Sequence, residues 1–198
     1  LESKTLIVAT GTRPELLAVK GAEKAAERIY YEVAEMDGLA AGERIAVIGG
    51  GEAALDYAIS LRCLGCAPEV FCRAAAVKTN PRLMARFVQA GIQLRLNCSL
   101  SEVRPVRDSL ELVFSDGTRQ KSERLLAAIG RMPNLPKLGE GMPEKFVVGE
   151  DGQTQVPGLF LAGDVRRGRD RHFATAVGDG MRAAMLAGKY LETLEAKM

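Results

Sequence analysis

The stretch Arg44-Ile-Ala-Val-Ile-Gly-Gly-Gly51 is an apolar run that ends in three glycines. The apolar run predicts a buried strand, because the five residues before the glycines are too few for a helix. Residues 52–64 follow with apolar side chains at helical spacing. Gly65 marks the end of that helix, where a residue without a Cβ is favoured. This order of strand, glycine turn and helix predicts the start of an α/β nucleotide-binding unit.

Gly49-Gly50-Gly51-Glu52-Ala53-Ala54 fits the pattern G-x-G-x-x-A. In this pattern the first glycine permits a tight turn, the second lets a pyrophosphate approach the backbone, and the small third residue lets the helix pack on the strand. The tip of the helix would present free N–H groups to the phosphates. The predicted contacts are Gly49, Gly51, Glu52 and Ala53. A plain tight turn is the alternative, and the flanking strand and helix favour dinucleotide binding.

The segments after the glycine turn extend the unit to β-α-β-α-β, which predicts a parallel sheet covered by helices. A short antiparallel meander follows, and then a loop-rich region with four prolines. The predicted fold class is α/β, with a Rossmann-like three-layer arrangement. The predicted elements are strands at 69–72 and 91–97, a helix at 81–90, meander strands at 102–107, 109–114 and 118–125, buried strands at 125–129 and 159–162, and a long helix at about 173–195.

The end of the second strand bears on the choice between NADPH and NADH. A carboxylate at this point would accept a hydrogen bond from a ribose 2′-hydroxyl, whereas a basic residue would pair with a 2′-phosphate. Here the sequence is Val70-Phe71-Cys72-Arg73, and Lys78 and Arg82 follow. Arg73 therefore favours NADPH. The alternative is a solvated surface arginine, since arginine is usually exposed.

Composition excludes several classes of protein. The 198 residues carry 27 Lys and Arg against 25 Asp and Glu, and a net charge of +2 gives no reason to expect nucleic-acid binding. The longest run without a charge, residues 152–163, is shorter than the roughly 20 residues that a membrane span needs. A single histidine leaves little material for a histidine metal centre or a Ser-His-Asp triad, and we predict no metal site.

The four cysteines are Cys63, Cys66, Cys72 and Cys98. They lie in apolar stretches, and no signal-peptide pattern precedes them, which predicts free thiols and a cytoplasmic location. Cys63 and Cys66 have Cys-x-x-Cys spacing. We interpret the cysteines as small core residues in preference to a redox pair or a zinc site, because a four-cysteine zinc site needs two closely spaced pairs.

Four motifs in order carry a resemblance to a known family: Ala9-Thr10-Gly11, Val47-Ile48-Gly49-Gly50-Gly51, Gly130-Arg131-Met132-Pro133-Asn134 and the run Val156 to Asp164. With them the chain resembles the two-dinucleotide-binding-domain flavoproteins, the pyridine nucleotide–disulfide oxidoreductases, and especially the thioredoxin reductase type. The resemblance implies an NAD(P)-binding domain at 13–131 and part of an FAD-binding domain at 1–12 and 132–198.

The cofactors implied are NADP or NAD, and FAD in the complete protein. By resemblance, Gly130 and Gly163 belong to cofactor-binding motifs and Asp164 hydrogen-bonds a ribityl hydroxyl of FAD. The N–H of Phe173 would face the flavin pyrimidine edge from the start of the last helix. His172 stands where the resembled type has glutamine, and a polar contact or an exposed side chain is favoured over an acid–base role.

Two departures from the family's pattern matter. The thioredoxin reductase type has a Cys-x-x-Cys before Asp-Gly, and this chain has Val33 and Met36 there, which cannot form the thiolate that thiol–disulfide exchange needs. The family's first FAD-binding segment has no counterpart here. Since the sequence begins at Leu1, we predict a fragment of a longer chain, the alternative being a partner that supplies the missing half. Such a piece would expose sheet edges.

We therefore expect an FAD-dependent NAD(P)H oxidoreductase that passes a hydride from nicotinamide to flavin and on to an unidentified acceptor, a small molecule or redox protein. The sequence identifies no catalytic residue, and the isolated chain is expected to hold no FAD and to be inactive. The complete protein is expected to be a homodimer. One alternative is an NAD(P)-binding module or scaffold without flavin chemistry, and another is a thiol oxidoreductase that uses Cys63 and Cys66.

Overall fold

The computed structural model describes residues 3–143, 145–168 and 171–196. Leu1, on which the fragment prediction rests, lies outside these residues. The chain divides into two compact units, the central unit (14–130) and the terminal unit (1–13 with 131–198). The strands and helices, in chain order, are β1 (Leu6–Val8), β2 (Thr12–Pro14), β3 (Ile29–Tyr30), β4 (Arg44–Ile48), α1 (Glu52–Cys63), β5 (Ala67–Phe71), α2 (Pro81–Gln89), β6 (Gln93–Arg95), β7 (Leu100–Val106), β8 (Ser109–Phe114), β9 (Arg119–Ser122), β10 (Arg124–Ala127), β11 (Arg131–Pro133), β12 (Leu159–Leu161) and α3 (Phe173–Glu195).

The central unit is built on a parallel sheet with the strand order β3-β10-β4-β5-β6. Because side chains alternate along a strand, β4 contributes to two cores. Ile45 and Val47 pack with α1 and α2, while Ala46 and Ile48 pack with the antiparallel meander β7-β8-β9. The result is three layers, helices, sheet and meander, as the sequence predicted.

One predicted strand was wrong, because residues 118–125 form no single strand. β9 ends at Ser122, and β10 begins at Arg124 in the parallel sheet beside β4. The buried Ser122 Oγ accepts a hydrogen bond from Ala46 N (2.8 Å) and lies 2.8 Å from Arg44 O and 2.7 Å from Arg124 O. This hydroxyl therefore fixes the point at which the chain passes from the meander to the main sheet.

Replacing Ser122 by alanine should destabilise the central unit. Ala46 N would lose its acceptor in a buried position, which costs about 1–3 kcal/mol. The measurement is urea unfolding followed by circular dichroism. Ser109→Ala is the matched control, because the Ser109 hydroxyl bonds Val106 O at an exposed turn and such a change costs less than about 0.5 kcal/mol. Equal stability of the two variants would contradict the role of Ser122.

The terminal unit contains the parallel pair β1–β12, in which Ile7 lies opposite Phe160. It also contains β11 and the first two residues of its partner strand β2, Thr12 and Arg13. Helix α3 has the predicted bounds and buries Ala183 and Ala187 against β12. Leu6 and Ile7 are 46% and 38% exposed. The predicted domains, 13–131 for NAD(P) and 1–12 with 132–198 for FAD, were defined by the cofactor that each is expected to bind. Their bounds stay a prediction.

Within the described ranges, the structure contains no helix of sufficient length and apolarity to span a bilayer.

Candidate functional site

The glycine turn after β4 is shaped by two neighbours inside the central unit. A Cβ on Gly49 would lie 2.4 Å from Ala128 O, and the φ of Gly49 is +157°. A Cβ on Gly50 would lie 2.2 Å from Cys72 Sγ. Both positions therefore require glycine for reasons of internal packing.

Gly51 differs from the other two glycines. Among the described residues, no atom lies within 4 Å of the place that a Gly51 Cβ would occupy, and the φ of Gly51 is −103°. Neither packing nor backbone conformation demands glycine here. The absence of a side chain leaves open space at the tip of α1, which is what close approach of a pyrophosphate to the backbone requires.

The tip of α1 is accessible to solvent. Gly51 is the N-cap and has no side chain with which to bond the first N–H groups, and Glu52 and Ala53 are exposed. A helix N-terminus carries unpaired N–H groups and partial positive charge, so it suits a phosphate. The predicted contacts Gly49, Gly51, Glu52 and Ala53 thus lie together around one open tip, and their binding role stays a prediction.

The loop from β5 to α2 is held beside this tip. Lys78 N donates to Gly50 O (2.9 Å), and Lys78 forms a β-bridge with Gly51. The Glu52 carboxylate accepts two hydrogen bonds, from Asn80 N (3.0 Å) and Asn80 Nδ2 (2.9 Å). Asn80 also caps α2 by accepting from Leu83 N (2.9 Å). Sequence reasoning missed the Glu52–Asn80 contact, although Asn-Pro at 80–81 is a signal for a helix start.

The same loop carries positive charge. Arg73, Lys78 and Arg82 are all exposed, Arg82 in the first turn of α2, and residues 73–86 include no carboxylate. In the described part of the chain these three side chains form no ion pair. Their charges are available to an anion near the tip of α1.

The other predicted contacts are divided between the two units. Gly130 ends the central unit with a φ of +145°, and its Cβ would lie 2.9 Å from Glu15 Oε2. In the terminal unit, Asp164 is half-buried in the short helical turn Gly163–Val165 directly after β12. His172 is the N-cap of α3 and Phe173 its first residue, and Phe173 is 87% exposed.

The residues of the terminal unit fit a flavin nucleotide chemically. Asp164 offers a carboxylate, an acceptor for hydroxyl groups, at the end of a buried strand. The exposed start of α3 offers N–H groups and the positive end of a helix dipole. FAD contacts at Gly163, Asp164, His172 and Phe173 stay a prediction.

Sequence reasoning missed the buried carboxylate of Asp179, which lies on the inner face of α3 and is 7% exposed. The guanidinium groups of Arg167 and Arg166 lower its pKa to about 2, against the opposing effect of burial. An acidic residue among the apolar and glycine residues of α3 was the signal that could have revealed it.

Asp179 should make stability depend on pH in the acid range. Its folded pKa lies below the ordinary value of 3.8, so its contribution is complete above pH about 4 and is lost as pH falls towards 2. We expect the free energy of unfolding of wild type to exceed that of Asp179→Asn by on the order of 2 kcal/mol from this effect, and the difference should shrink below pH 4. Urea unfolding at several pH values measures it, and a difference independent of pH would contradict the assignment.

The cysteines are not all core residues. Cys66 and Cys72 are buried, but Cys98 is only half-buried and Cys63 is exposed, so the core interpretation was wrong for Cys63. The physical reason is its place on α1, since it is the last residue of that helix and lies outside the buried face. Burial raises the pKa of Cys66, which disfavours the thiolate that a redox pair needs.

Residues 33–36, where the resemblance predicts a Cys-x-x-Cys pair, are packed by apolar side chains. Val33 begins a short 3-10 helix, Val33–Glu35, that packs on the core of the central unit, and Met36 is 5% exposed in that core.

Comparison with known proteins identifies relatives of the chain along most of its length. Residues 1–180 match the family model described as pyridine nucleotide-disulphide oxidoreductase. The F component of alkyl hydroperoxide reductase from Staphylococcus aureus (strain NCTC 8325 / PS 47) is 28% identical over 203 residues, covering 96% of this chain and 40% of the relative. Its counterpart from Pseudomonas putida is 29% identical over 214 residues, covering 96% and 39%. The chain thus spans about two fifths of the length of these relatives.

Two solved structures share the fold. Thioredoxin reductase of Lactococcus lactis (FR conformation) superimposes with a TM-score of 0.83 and 24% identity, covering 96% of this chain and 67% of that one. Thioredoxin reductase of T. acidophilum gives 0.81 and 24%, covering 97% and 66%. The predicted fold class and the resemblance are confirmed, and the chain belongs to the pyridine nucleotide-disulphide oxidoreductase family.

Proposed function

We propose that this chain is part of an FAD-dependent NAD(P)H oxidoreductase in which the central unit binds the nicotinamide nucleotide and the terminal unit contributes to the FAD site. Members of the family are FAD-dependent NAD(P)H oxidoreductases. The observation that carries the proposal for this chain is the open space at Gly51, where neither packing nor φ calls for a glycine.

The chain's own residues would divide the work of binding. The tip of α1 would hold the pyrophosphate through backbone N–H groups at Glu52 and Ala53, and Asp164 would hold the ribityl chain. The chemistry that bound FAD would supply is acceptance of a hydride from the nicotinamide. The protein would supply binding and orientation.

The positively charged loop between β5 and α2 supports NADPH as the preferred nucleotide. Arg73 and Lys78 are free of carboxylate partners in the described structure and lie on the loop that is fixed to the tip of α1. A 2′-phosphate gains charge-assisted hydrogen bonds from such groups, whereas a ribose hydroxyl does not.

The electron acceptor is proposed to be a small molecule or a redox protein, and not a pair of cysteines within these 198 residues. Val33 and Met36 carry no thiol, and Cys63 and Cys66 differ in exposure. The four free cysteines support a reducing, cytoplasmic location, and a homodimer is proposed for the complete protein.

The test uses the protein expressed from its complete natural reading frame. The proposal expects a yellow protein whose visible flavin absorbance is lost on anaerobic addition of NADPH, with Cys63→Ser/Cys66→Ser behaving as wild type. A colourless protein that binds NADPH would establish the alternative, a binding module without flavin chemistry. Loss of turnover in Cys63→Ser/Cys66→Ser would instead support the alternative of a thiol oxidoreductase that uses these two cysteines.

A further inference from the structure

The buried carboxylate of Asp179 is bonded by groups from outside its own helix. Asp179 Oδ1 accepts from Arg166 Nη1 (3.0 Å) and Arg167 Nη2 (2.5 Å). Asp179 Oδ2 accepts from Arg167 Nε (2.9 Å) and from the backbone N–H of Gly163 (3.2 Å). All four donors belong to the stretch 163–167, which begins directly after β12.

The bonds of Asp179 join α3 to the turn that carries Asp164. The backbone donor, Gly163 N–H, lies one residue before Asp164, and Gly163 has a φ of +72°. Arg166 continues the connection, since its Nη2 donates to Gly149 O (2.7 Å) and Glu150 O (2.8 Å). The turn is therefore held from α3 on one side and from the preceding loop on the other.

Stability alone is a poor explanation of this cluster. Buried ion pairs are often no more stabilising than apolar residues of the same volume, because removing charges from water is costly. The cluster instead fixes the relative orientation of its members, because two planar guanidinium groups and one N–H bond both oxygens of a single carboxylate. The cluster joins the turn that carries Asp164 to the second turn of α3, and the exposed N-terminus of that helix is the other part of the terminal unit that fits a flavin.

We propose that Asp179 is a positioning residue for flavin binding, which sets the orientation of the Gly163–Val165 turn relative to the start of α3. This inference rests on the proposed function of the terminal unit. Asp179 acts through Gly163 and the two arginines, and it contacts no cofactor itself.

The test compares FAD binding in variants of the protein expressed from its complete reading frame. In Asp179→Asn, FAD affinity is expected to fall about tenfold or more, the effect of losing a charged hydrogen-bond partner, and the visible circular dichroism of the flavin is expected to change. Asp179→Glu keeps the charge and should restore part of the affinity. NADPH affinity of the central unit should be unaffected in both variants.

The matched control is Ala183→Gly, which loosens the same buried face of α3 one turn beyond Asp179, where Ala183 packs with Phe160 and makes none of the hydrogen bonds to residues 163–167. It should lower the melting temperature and leave FAD affinity and the flavin spectrum unchanged. If Asp179→Asn does not fold, the second variant is Arg167→Met, in which Asp179 keeps Arg166 as a partner, and the same loss of FAD affinity is expected. Wild-type affinity in these variants overturns the positioning role, whereas a wild type that binds no FAD overturns the proposed function itself.

Discussion

Gly51→Val should weaken binding of NADPH roughly 100-fold, the equivalent of losing about 3 kcal/mol of charge-assisted hydrogen bonding, while the protein remains folded. The space around Gly51 is open among the described residues, and its φ of −103° and ψ of 178° suit a β-branched residue. The new side chain would occupy the place where a pyrophosphate must approach the backbone. Isothermal titration with NADPH measures the affinity, and thermal unfolding shows that the fold is kept.

The control for this experiment is Gly188→Val, another glycine whose Cβ position has no atom within 4 Å, apart from its chain neighbours and the backbone of its own helix, in the described structure. It lies in α3, outside the central unit, and should leave nucleotide affinity unchanged. A folded Gly51→Val protein with wild-type affinity would refute nucleotide binding at the tip of α1. A variant that unfolds would instead refute the statement that this position is free of packing constraints.

Arg73→Glu should reduce NADPH affinity by about tenfold or more, and adding Lys78→Glu should bring the loss to about 100-fold, since each removes a charged partner of the 2′-phosphate and introduces repulsion. NADH lacks that phosphate, so its affinity should change less than about threefold. The ratio of the two dissociation constants, measured by fluorescence titration, reports the effect directly.

Arg86→Glu is the matched control, because it makes the same change of charge as Arg73→Glu at the exposed last turn of α2. Screening by salt should leave it with little effect on either nucleotide. Equal losses of NADPH and NADH in Arg73→Glu, or an equal loss in Arg86→Glu, would refute the assignment of Arg73 to the 2′-phosphate.

The parts of the fold that the sequence predicted well depend on local signals. The strand, glycine turn and helix from Arg44 to Cys63 are encoded by neighbouring residues, and so are the bounds of α3. The fold class followed from their order along the chain.

The parts that were missed depend on contacts between distant residues. The break at Ser122 is set by hydrogen bonds to Arg44 and Ala46, more than 70 residues earlier. Glu52 finds Asn80 across the loop, and Asp179 finds its arginines only after the chain has turned back on itself. Patterns of composition and spacing do not specify such pairings, which depend on the tertiary fold.

The pairing of β1 with β12 has a consequence for the order in which the chain folds. Leu6 lies opposite Leu159, so the first strand cannot find its partner during synthesis until all of the central unit has been made. The central unit is continuous in sequence and meets no such delay. Closure of so long a loop carries a high entropic cost, which is lower once the intervening residues are already compact. We therefore expect the central unit to become protected from hydrogen exchange before the β1–β12 pair does.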